Sequence, residues 1–214
     1  MSGEVGLILS VSRVVDRTQV LGPGTRAAIW VRGCPLRCRD CVSPEDLPFE
    51  GGERVDVRDL ARHLNGLSED VTGVTFSGGE PMAQAAALAQ LVDLIRARRN
   101  WSVMSYSGFT LEHLHRHGSP GQRALLDRVD ILVDGPYLVE RHADLLWRGS
   151  ANQRLHFLTS RHRLRAPDRC AGLELEVTKG ALSWVGVPPV AGFRAAFESA
   201  MRAEGVNLTT EGTN

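Results

Sequence analysis

Short apolar, strand-like segments alternate with helix-like segments along most of this chain, and this alternation restricts the possible folds more than any other feature. Apolar residues recur at helical spacing in 55–67, 81–99 and 110–117. The strand-like segments are 27–33, 71–81, 101–108, 129–136 and 154–160. Strand–helix–strand repetition predicts an α/β fold of parallel βα units with right-handed crossovers, and either an open sheet or a partial barrel satisfies it.

The segments on either side of this repeat predict additions to it. Residues 6–15 have the pattern of an edge strand. After the repeat, 172–188 has the pattern of a β-hairpin that turns at Lys179-Gly180, and 191–205 that of an amphipathic helix. The predicted organisation is a core of residues 1–165, a C-terminal extension of residues 166–206 packed on that core, and a disordered tail at 207–214.

Composition and the N terminus argue against several classes of partner. The 25 basic and 25 acidic residues give a formal net charge of +0, so no nucleic-acid or membrane partner is expected. The N terminus lacks the basic region and cleavage site of a secretory signal, and no segment approaches the roughly 18 apolar residues of a membrane span. Four cysteines, three of them clustered, favour a reduced thiol site over a disulfide framework, which predicts a cytoplasmic location.

The three clustered cysteines, Cys34, Cys38 and Cys41, have the spacing C-x-x-x-C-x-x-C. Three interpretations are open from the spacing. The first is a structural zinc site with a histidine or Cys170 as the fourth ligand, although zinc sites usually use two C-x-x-C pairs. The second is a dithiol redox site. The third, which the spacing favours, is an iron–sulfur cluster held by three thiolates with one iron left open.

The same spacing is the motif of the radical S-adenosylmethionine (SAM) superfamily, and other segments resemble that superfamily in the same order. Ser77 to Pro81, SGGEP, is similar to its GGEP motif. Within the superfamily the chain resembles glycyl-radical-enzyme activating proteins, especially the anaerobic ribonucleotide reductase activases. Five segments carry this resemblance: GPGTR at 22–26, GCPLRC at 33–38, YSGFT at 106–110, DGPY at 134–137 and RGSANQR at 148–154.

The resemblance implies a fold, a pair of cofactors and an activity. The fold is a partial (β/α)6 barrel of radical SAM type, to which the C-terminal hairpin and helix are added. The cofactors are a 4Fe–4S cluster held by Cys34, Cys38 and Cys41 and SAM bound to its open iron. One electron, from reduced flavodoxin or ferredoxin, cleaves SAM to a 5′-deoxyadenosyl radical that abstracts hydrogen. The implied enzyme is a radical SAM oxidoreductase that activates a larger glycyl radical enzyme.

The resemblance also implies which residues contact SAM. Gly78 and Gly79 would let the backbone approach the methionine end, with Glu80 near the ammonium group. A plain strand-to-helix turn with proline in its first turn also accounts for this segment. A turn role is open for Tyr106 and Ser107 as well, and Asp134 could bind SAM, a small cation or only its own turn. Arg148, Gln153 and Arg154 are further polar candidates. The expected SAM contacts are Val42, Gly78, Gly79, Glu80, Pro81, Tyr106, Ser107, Asp134 and Asn152.

Val42 and the C-terminal extension depart from the family pattern. Val42 stands where these proteins usually have an aromatic residue over the adenine, and the extension carries Cys170, which is expected to be inert. Two other functions therefore stay open: a radical SAM enzyme that modifies a peptide or small molecule in a biosynthetic pathway, and a non-catalytic iron–sulfur or zinc module. The surface around 22–26 and the open edge of the partial barrel are expected to receive the partner's glycine loop. His113, His115 and His117 are expected on a solvated helix face.

Overall fold

A computed structural model describes residues 7–163, 167–178 and 181–206. The predicted turn at Lys179-Gly180 and the predicted disordered tail at 207–214 lie outside the described residues. The helices are α1 (Val57–Asn65), α2 (Ala85–Arg96), α3 (Leu111–His117), α4 (Pro120–Leu126) and α5 (Phe193–Ala203). The strands are β1 (Ile8–Thr18), β2 (Thr25–Val31), β3 (Glu53–Asp56), β4 (Val71–Gly78), β5 (Ser102–Ser107), β6 (Ile131–Asp134), β7 (His142–Leu145), β8 (Arg148–Ser150), β9 (Arg154–Phe157), β10 (Glu174–Thr178) and β11 (Ala181–Val185).

The main sheet has seven strands in the order β3-β1-β2-β4-β5-β6-β9, which confirms the α/β fold class. Strands β2, β4, β5 and β6 are parallel, as the alternating pattern predicts. Two predictions about strands need correction. Strand β1 is not an edge strand, because β3 pairs with its outer side. Strand β9 runs antiparallel to β6, so the segment at 154–160 does not add another parallel βα unit.

Helices cover one face of this sheet. Helix α1 starts where the Asp56 side chain accepts a hydrogen bond from the Arg58 N–H (2.7 Å), which satisfies one of the unpaired N–H groups of the first turn. Val57, Leu60 and Leu64 recur on one side of the helix and are buried. They join a core that also contains apolar side chains of α2 and α4 and the strand residues Ile29, Phe76 and Val103.

The opposite face of the sheet is covered by the C-terminal extension and by nearby loops. Because successive strand residues point to opposite sides, Ala28 and Trp30 face away from the helices. Ala28 packs in a buried cluster with Leu21 and Val185, and Val185 comes from β11 of the extension. Met104 lies further along the same face, in a cluster to which Trp147 adds its ring. The extension therefore completes the core on the side opposite helices α1, α2 and α4.

The extension is tied to the core by hydrogen bonds as well as by apolar packing. Strands β10 and β11 form the predicted antiparallel hairpin. Arg13 donates to the carbonyl of Trp184 (2.8 Å), and Gln19 N donates to Glu174 (2.8 Å). His142 bridges the two parts, since its Nε2 contacts Pro188 O at 3.1 Å and its Nδ1 contacts the Tyr137 hydroxyl at 2.9 Å. Within the described residues, no helix is long and apolar enough to cross a membrane.

Candidate metal centre

A cavity of about 150 Å³ lies at the edge where the parallel strands end. The carboxyl ends of β2, β4, β5 and β6 meet at this edge, which is where α/β sheets commonly bind ligands. We call this space the metal cavity. Its wall brings together most of the residues that the sequence singles out: Cys34, Cys38, Cys41, Val42, Gly78, Gly79, Glu80, Pro81, Tyr106 and Ser107.

The cysteine loop leaves the end of β2 and is fixed by backbone hydrogen bonds. Gly33 N donates to Asp46 O (2.8 Å), and Cys34 N donates to Leu47 O (3.0 Å), so the loop closes on the short 3₁₀ turn that follows it. Gly33 O in turn accepts from Glu80 N (2.8 Å). These contacts hold the first cysteine next to the turn at the end of β4.

The thiols of the metal cavity suit a metal cluster better than a redox dithiol. Cys34, Cys38 and Cys41 are free cysteines, and Cys34 is buried. Burial raises the pKa of Cys38 and raises that of Cys41 to about 11, whereas redox-active cysteines have lowered pKa values. Iron binding would supply the positive charge that a thiolate needs here. The chemistry of this donor set therefore fits an iron–sulfur cluster.

A single zinc ion fits the same residues less well. A tetrahedral zinc site needs a fourth ligand, and the described lining of the metal cavity contains no histidine beside the three thiols. Cys170, considered as a fourth zinc ligand, lies in the extension, where its sulfur is 3.2 Å from Gly172 N and 3.1 Å from Val187 O.

Gly78 and Gly79 are needed where the end of β4 passes the end of β2. Gly78 has a φ of +100°, and a Cβ added there would lie 2.3 Å from Val31 O. A Cβ added at Gly79 would lie 2.4 Å from Gly33 O. These glycines are predicted to let the backbone approach a bound ligand. The structure adds a second reason, which is the close contact between two backbone segments.

Glu80 holds the ends of two strands together. Its side chain is buried (1% exposed) and accepts hydrogen bonds from Met82 N (2.9 Å) and Gly108 N (2.7 Å). The first bond begins the turn after β4, and the second fixes the loop after β5. Burial raises the pKa of Glu80 to about 7. Both carboxyl oxygens are thus engaged within the protein, although Glu80 also lines the metal cavity.

Tyr106 and Ser107 end β5 and differ in their hydrogen bonding. Ser107 Oγ accepts from Phe109 N (3.1 Å), which is a turn contact. Tyr106 lines the metal cavity, and its buried hydroxyl has no hydrogen-bond partner in the described part of the chain. Burial raises the pKa of Tyr106, so the hydroxyl is neutral at pH 7. A buried hydroxyl without a partner is unusual and is a place where a bound ligand would satisfy the protein.

Asp134 and Asn152 lie beside the metal cavity rather than in its described wall. Asp134 is fully buried and accepts from Leu111 N and from Arg154 (both 2.6 Å). Burial disfavours its charge, but these bonds outweigh that effect and the pKa of Asp134 lies below its ordinary value. Asn152 donates to Pro136 O (2.7 Å). Both side chains thus organise the loop after β6, whose cavity-lining members are Gly135 and Tyr137.

Other polar candidates have structural partners. Arg154 pairs with Glu112 in addition to Asp134, and Arg148 pairs with Asp168, as expected of arginines that bind carboxylates. Gln153 lines the metal cavity and accepts from Gly149 N (3.0 Å). The three histidines of α3, at positions 113, 115 and 117, are exposed as predicted.

The segment at 22–26 lies at the opposite edge of the sheet. Arg26 is fully buried there and donates to Thr75 Oγ1 (2.8 Å), Ser102 Oγ (2.7 Å) and Val74 O (2.7 Å). Burial lowers its pKa to about 10, so it remains charged at pH 7. Arg26 therefore holds three strands together and is itself not available to a partner, whereas Gly24 of the same segment is exposed.

Several apolar residues and one glycine of the wall were not predicted from the sequence: Leu21, Trp30, Leu36, Gly186 and Val187. A signal for Trp30 is present, since it alternates with Ile29 and Val31 on β2 and so must face the other side of the sheet. No comparable local signal exists for Gly186 and Val187, because they reach the cavity through the packing of the extension.

The family comparisons agree with this geometry. Residues 20–156 match the family described as a 4Fe-4S single cluster domain. The chain is similar to the anaerobic ribonucleoside-triphosphate reductase-activating protein of Vibrio cholerae, with 35% identity over 148 residues, covering 65% of this chain and 92% of that protein. The proteins of the same name from Haemophilus influenzae and Escherichia coli K12 are 31% and 29% identical, covering 63% and 65% of this chain and 89% and 92% of theirs.

These matches confirm the resemblance that the motifs indicate. The matched family region contains the cysteine loop, the turn after β4 and the ends of β5 and β6, and it ends before the extension begins. The chain therefore belongs to the 4Fe–4S single cluster domain family and is a relative of the anaerobic ribonucleoside-triphosphate reductase-activating proteins.

Proposed function

We propose that this chain is a radical SAM enzyme that activates a glycyl radical enzyme related to the reductase named in its relatives. One observation carries the proposal: the three thiols, the Gly78–Pro81 turn and the unpartnered Tyr106 hydroxyl line one cavity at the carboxyl edge of the parallel strands. The partial (β/α)6 barrel of radical SAM type, with residues 166–206 packed on a core of residues 1–165, is part of the same proposal.

The chain's own residues have distinct tasks in this proposal. Cys34, Cys38 and Cys41 hold the 4Fe–4S cluster, and the Gly78–Gly79 turn presents backbone to SAM. The Tyr106 hydroxyl binds a polar group of SAM, while Glu80 keeps the surrounding turns in register. With both groups bound, the site would supply one-electron cleavage of SAM to methionine and a 5′-deoxyadenosyl radical for hydrogen abstraction.

Two further parts of the wall act indirectly. Val42 and Leu36 provide apolar surface that excludes water from the metal cavity. Asp134 and Asn152 position the loop after β6 and are not proposed to touch SAM. The proposal also includes reduced flavodoxin or ferredoxin as the electron donor and a cytoplasmic location, where thiols stay reduced.

A second candidate function is modification of a peptide or small molecule by the same chemistry. It is favoured by one observation, which is that the extension supplies Gly186 and Val187 to the wall of the metal cavity. These residues lie beyond the family match at 20–156. In this candidate function the substrate contacts a region that lies outside the family match.

Anaerobic reconstitution with iron and sulfide tests the proposed cofactors. We expect iron and sulfide in the ratio of a 4Fe–4S cluster, and release of 5′-deoxyadenosine after addition of SAM and dithionite. Cys34→Ala should lose nearly all cluster and all cleavage, because one iron then lacks its thiolate. Cys170→Ser, the matched control, should keep both, since Cys170 is held by Gly172 and Val187 outside the metal cavity.

The outcomes separate the candidate functions. A colourless protein with one zinc per chain would refute both enzyme functions. Cleavage of SAM together with a glycyl radical signal in the reductase of the source organism supports the activase. Cleavage without that signal supports the second candidate.

A further inference from the structure

A second cavity, of about 550 Å³, lies between the cysteine loop and α5. We call it the groove. It meets the metal cavity along a shared wall, because four residues line both spaces: Cys38, Cys41, Val42 and Tyr137. The volume of the groove falls within the roughly 300–1,000 Å³ of typical ligand sites. The groove is therefore the adjoining space with room for a larger occupant.

The wall of the groove is mainly apolar, and the extension builds one side of it. Trp184 stacks on Phe193 with 5.0 Å between ring centroids, and Phe193 stacks on Phe197 at 5.7 Å. Trp184 and Phe193 line the groove, as do Val190 and Ala195 at its mouth. Val190 is 55% exposed and Ala195 is also exposed. An apolar groove with an apolar mouth is characteristic of sites that bind another protein.

The polar groups of the groove do not suit a small polar metabolite. Such ligands are recognised by several converging polar side chains. Here His142 is engaged by Tyr137 and Pro188, and the carboxylate residues of the described lining are Asp40 and Glu198. Apolar side chains of an extended or helical segment, in contrast, are the usual occupants of a groove of this kind.

We propose that the groove binds an extended apolar segment of the partner protein and leads it to the metal cavity. This inference rests on the proposed function and names the surface by which the partner is recognised. The relatives are named as activators of another protein, which favours a protein segment as the occupant. Because Gly186 and Val187 wall the metal cavity, a segment that enters beside them contacts the extension.

Two neighbouring alanines of α5 provide a matched test. Ala195 lines the groove, whereas Ala196 is exposed on the same helix and is not among the lining residues. The probe is a labelled synthetic peptide with the sequence of the glycine-containing segment of the source organism's reductase, and its affinity for the reconstituted protein is measured by fluorescence anisotropy. Ala195→Glu should weaken binding at least about tenfold, because it places a charge among apolar groups. Ala196→Glu should change affinity less than about twofold.

A second substitution in the groove and two measurements of folding distinguish a loss of peptide binding from a loss of the folded state. Val190→Glu, in the loop before α5, should weaken binding in the same direction as Ala195→Glu. Cluster content and thermal midpoint show whether each variant folds. Equal peptide affinity in Ala195→Glu and Ala196→Glu would overturn the groove as the binding site, and so would loss of binding in both.

Other results distinguish this inference from the proposed function. Absence of SAM cleavage in the unsubstituted protein would refute the proposed function. This assay contains no peptide, so its result does not depend on the groove. If the unsubstituted protein cleaves SAM but Ala195→Glu binds the peptide normally, only the groove is refuted. If sedimentation shows a dimer that Ala195→Glu dissociates while peptide binding is unchanged, the occupant is a second copy of this chain and the inference is wrong.

Discussion

The wall of the metal cavity is built from two regions that are held in place differently. In the core, backbone segments touch directly, so that Gly78 packs against Val31 with no room for a side chain. The hydrogen bonds that join the extension to the core use the side chains of Arg13, Glu174 and His142, and Gly192 at the start of α5 has nothing within 4 Å of an added Cβ. The first region lies within the family match and carries the chemistry, whereas the second lies beyond it and controls access.

The largest difference between the two regions is expected when one glycine of positive φ in each region is replaced by alanine. The quantity compared is the free energy of unfolding. Gly78 and Gly192 both have positive φ, of +100° and +67°. Gly78→Ala adds a backbone clash to that strain and should lower the free energy of unfolding by about 5 kcal/mol or more, or prevent folding. Gly192→Ala adds strain alone, about 1 kcal/mol. Urea denaturation measures both, and similar losses would contradict the difference between the regions.

The second prediction compares an arginine inside the core with one that joins core and extension. Arg26→Met leaves Thr75, Ser102 and Val74 without their buried donor and should cost about 3–4 kcal/mol. Arg13→Met removes a bond to Trp184 O and a contact of the guanidinium with the Trp30 ring, at 5.3 Å, and should cost about 1 kcal/mol. Chemical denaturation of each variant gives the two values. An equal cost would show that the junction is as firmly held as the core.

The third prediction uses the pH dependence of stability. The pKa of Glu80 is raised from 4.5 to about 7 in the folded protein. The folded state therefore binds a proton on Glu80 more tightly than the unfolded state does. The contribution of this protonation to stability is complete below pH 4.5 and is lost as pH rises through 7. Glu80→Gln cannot titrate. The stability of that variant relative to the unsubstituted protein should therefore rise by about 2–3 kcal/mol between pH 4.5 and 8.

Denaturation of both proteins without cluster, at several pH values, tests this third prediction. Parallel pH profiles for the two proteins would show that Glu80 is not the group whose proton affinity the fold increases.

The sequence predicted the region that carries the chemistry better than the region that controls access. Strands β2, β4, β5 and β6 follow from local apolar runs and terminal glycines, and their parallel order places the cysteine loop beside the turn at Gly78. Strand β3 and helix α4 were not predicted. Strand β3 pairs with β1 across more than forty residues of chain, which no local pattern encodes.

Side-chain direction was the other limit of prediction. Asp134 ends a strand, as a ligand-binding residue of this fold often does. Its carboxylate nevertheless accepts hydrogen bonds from Arg154, and the position of Arg154 is set by tertiary packing. The place of Val187 in the metal cavity likewise depends on how β11 packs on the open face of the sheet. Motifs identified the chain's relatives, and tertiary packing decided which motif residues reach the cavity.

The contact between Tyr137, His142 and Pro188 has a consequence for ligand polarity. Pro188 O can only accept, so in the neutral imidazole Nε2 bears the hydrogen and Nδ1 offers a lone pair. The hydroxyl hydrogen of Tyr137 is then directed to His142, and its oxygen keeps lone pairs for other partners. Tyr137 also lines both the metal cavity and the groove. At this point of the wall the protein thus offers a hydrogen-bond acceptor. This favours a ligand that donates a hydrogen bond, such as an ammonium group or a peptide N–H.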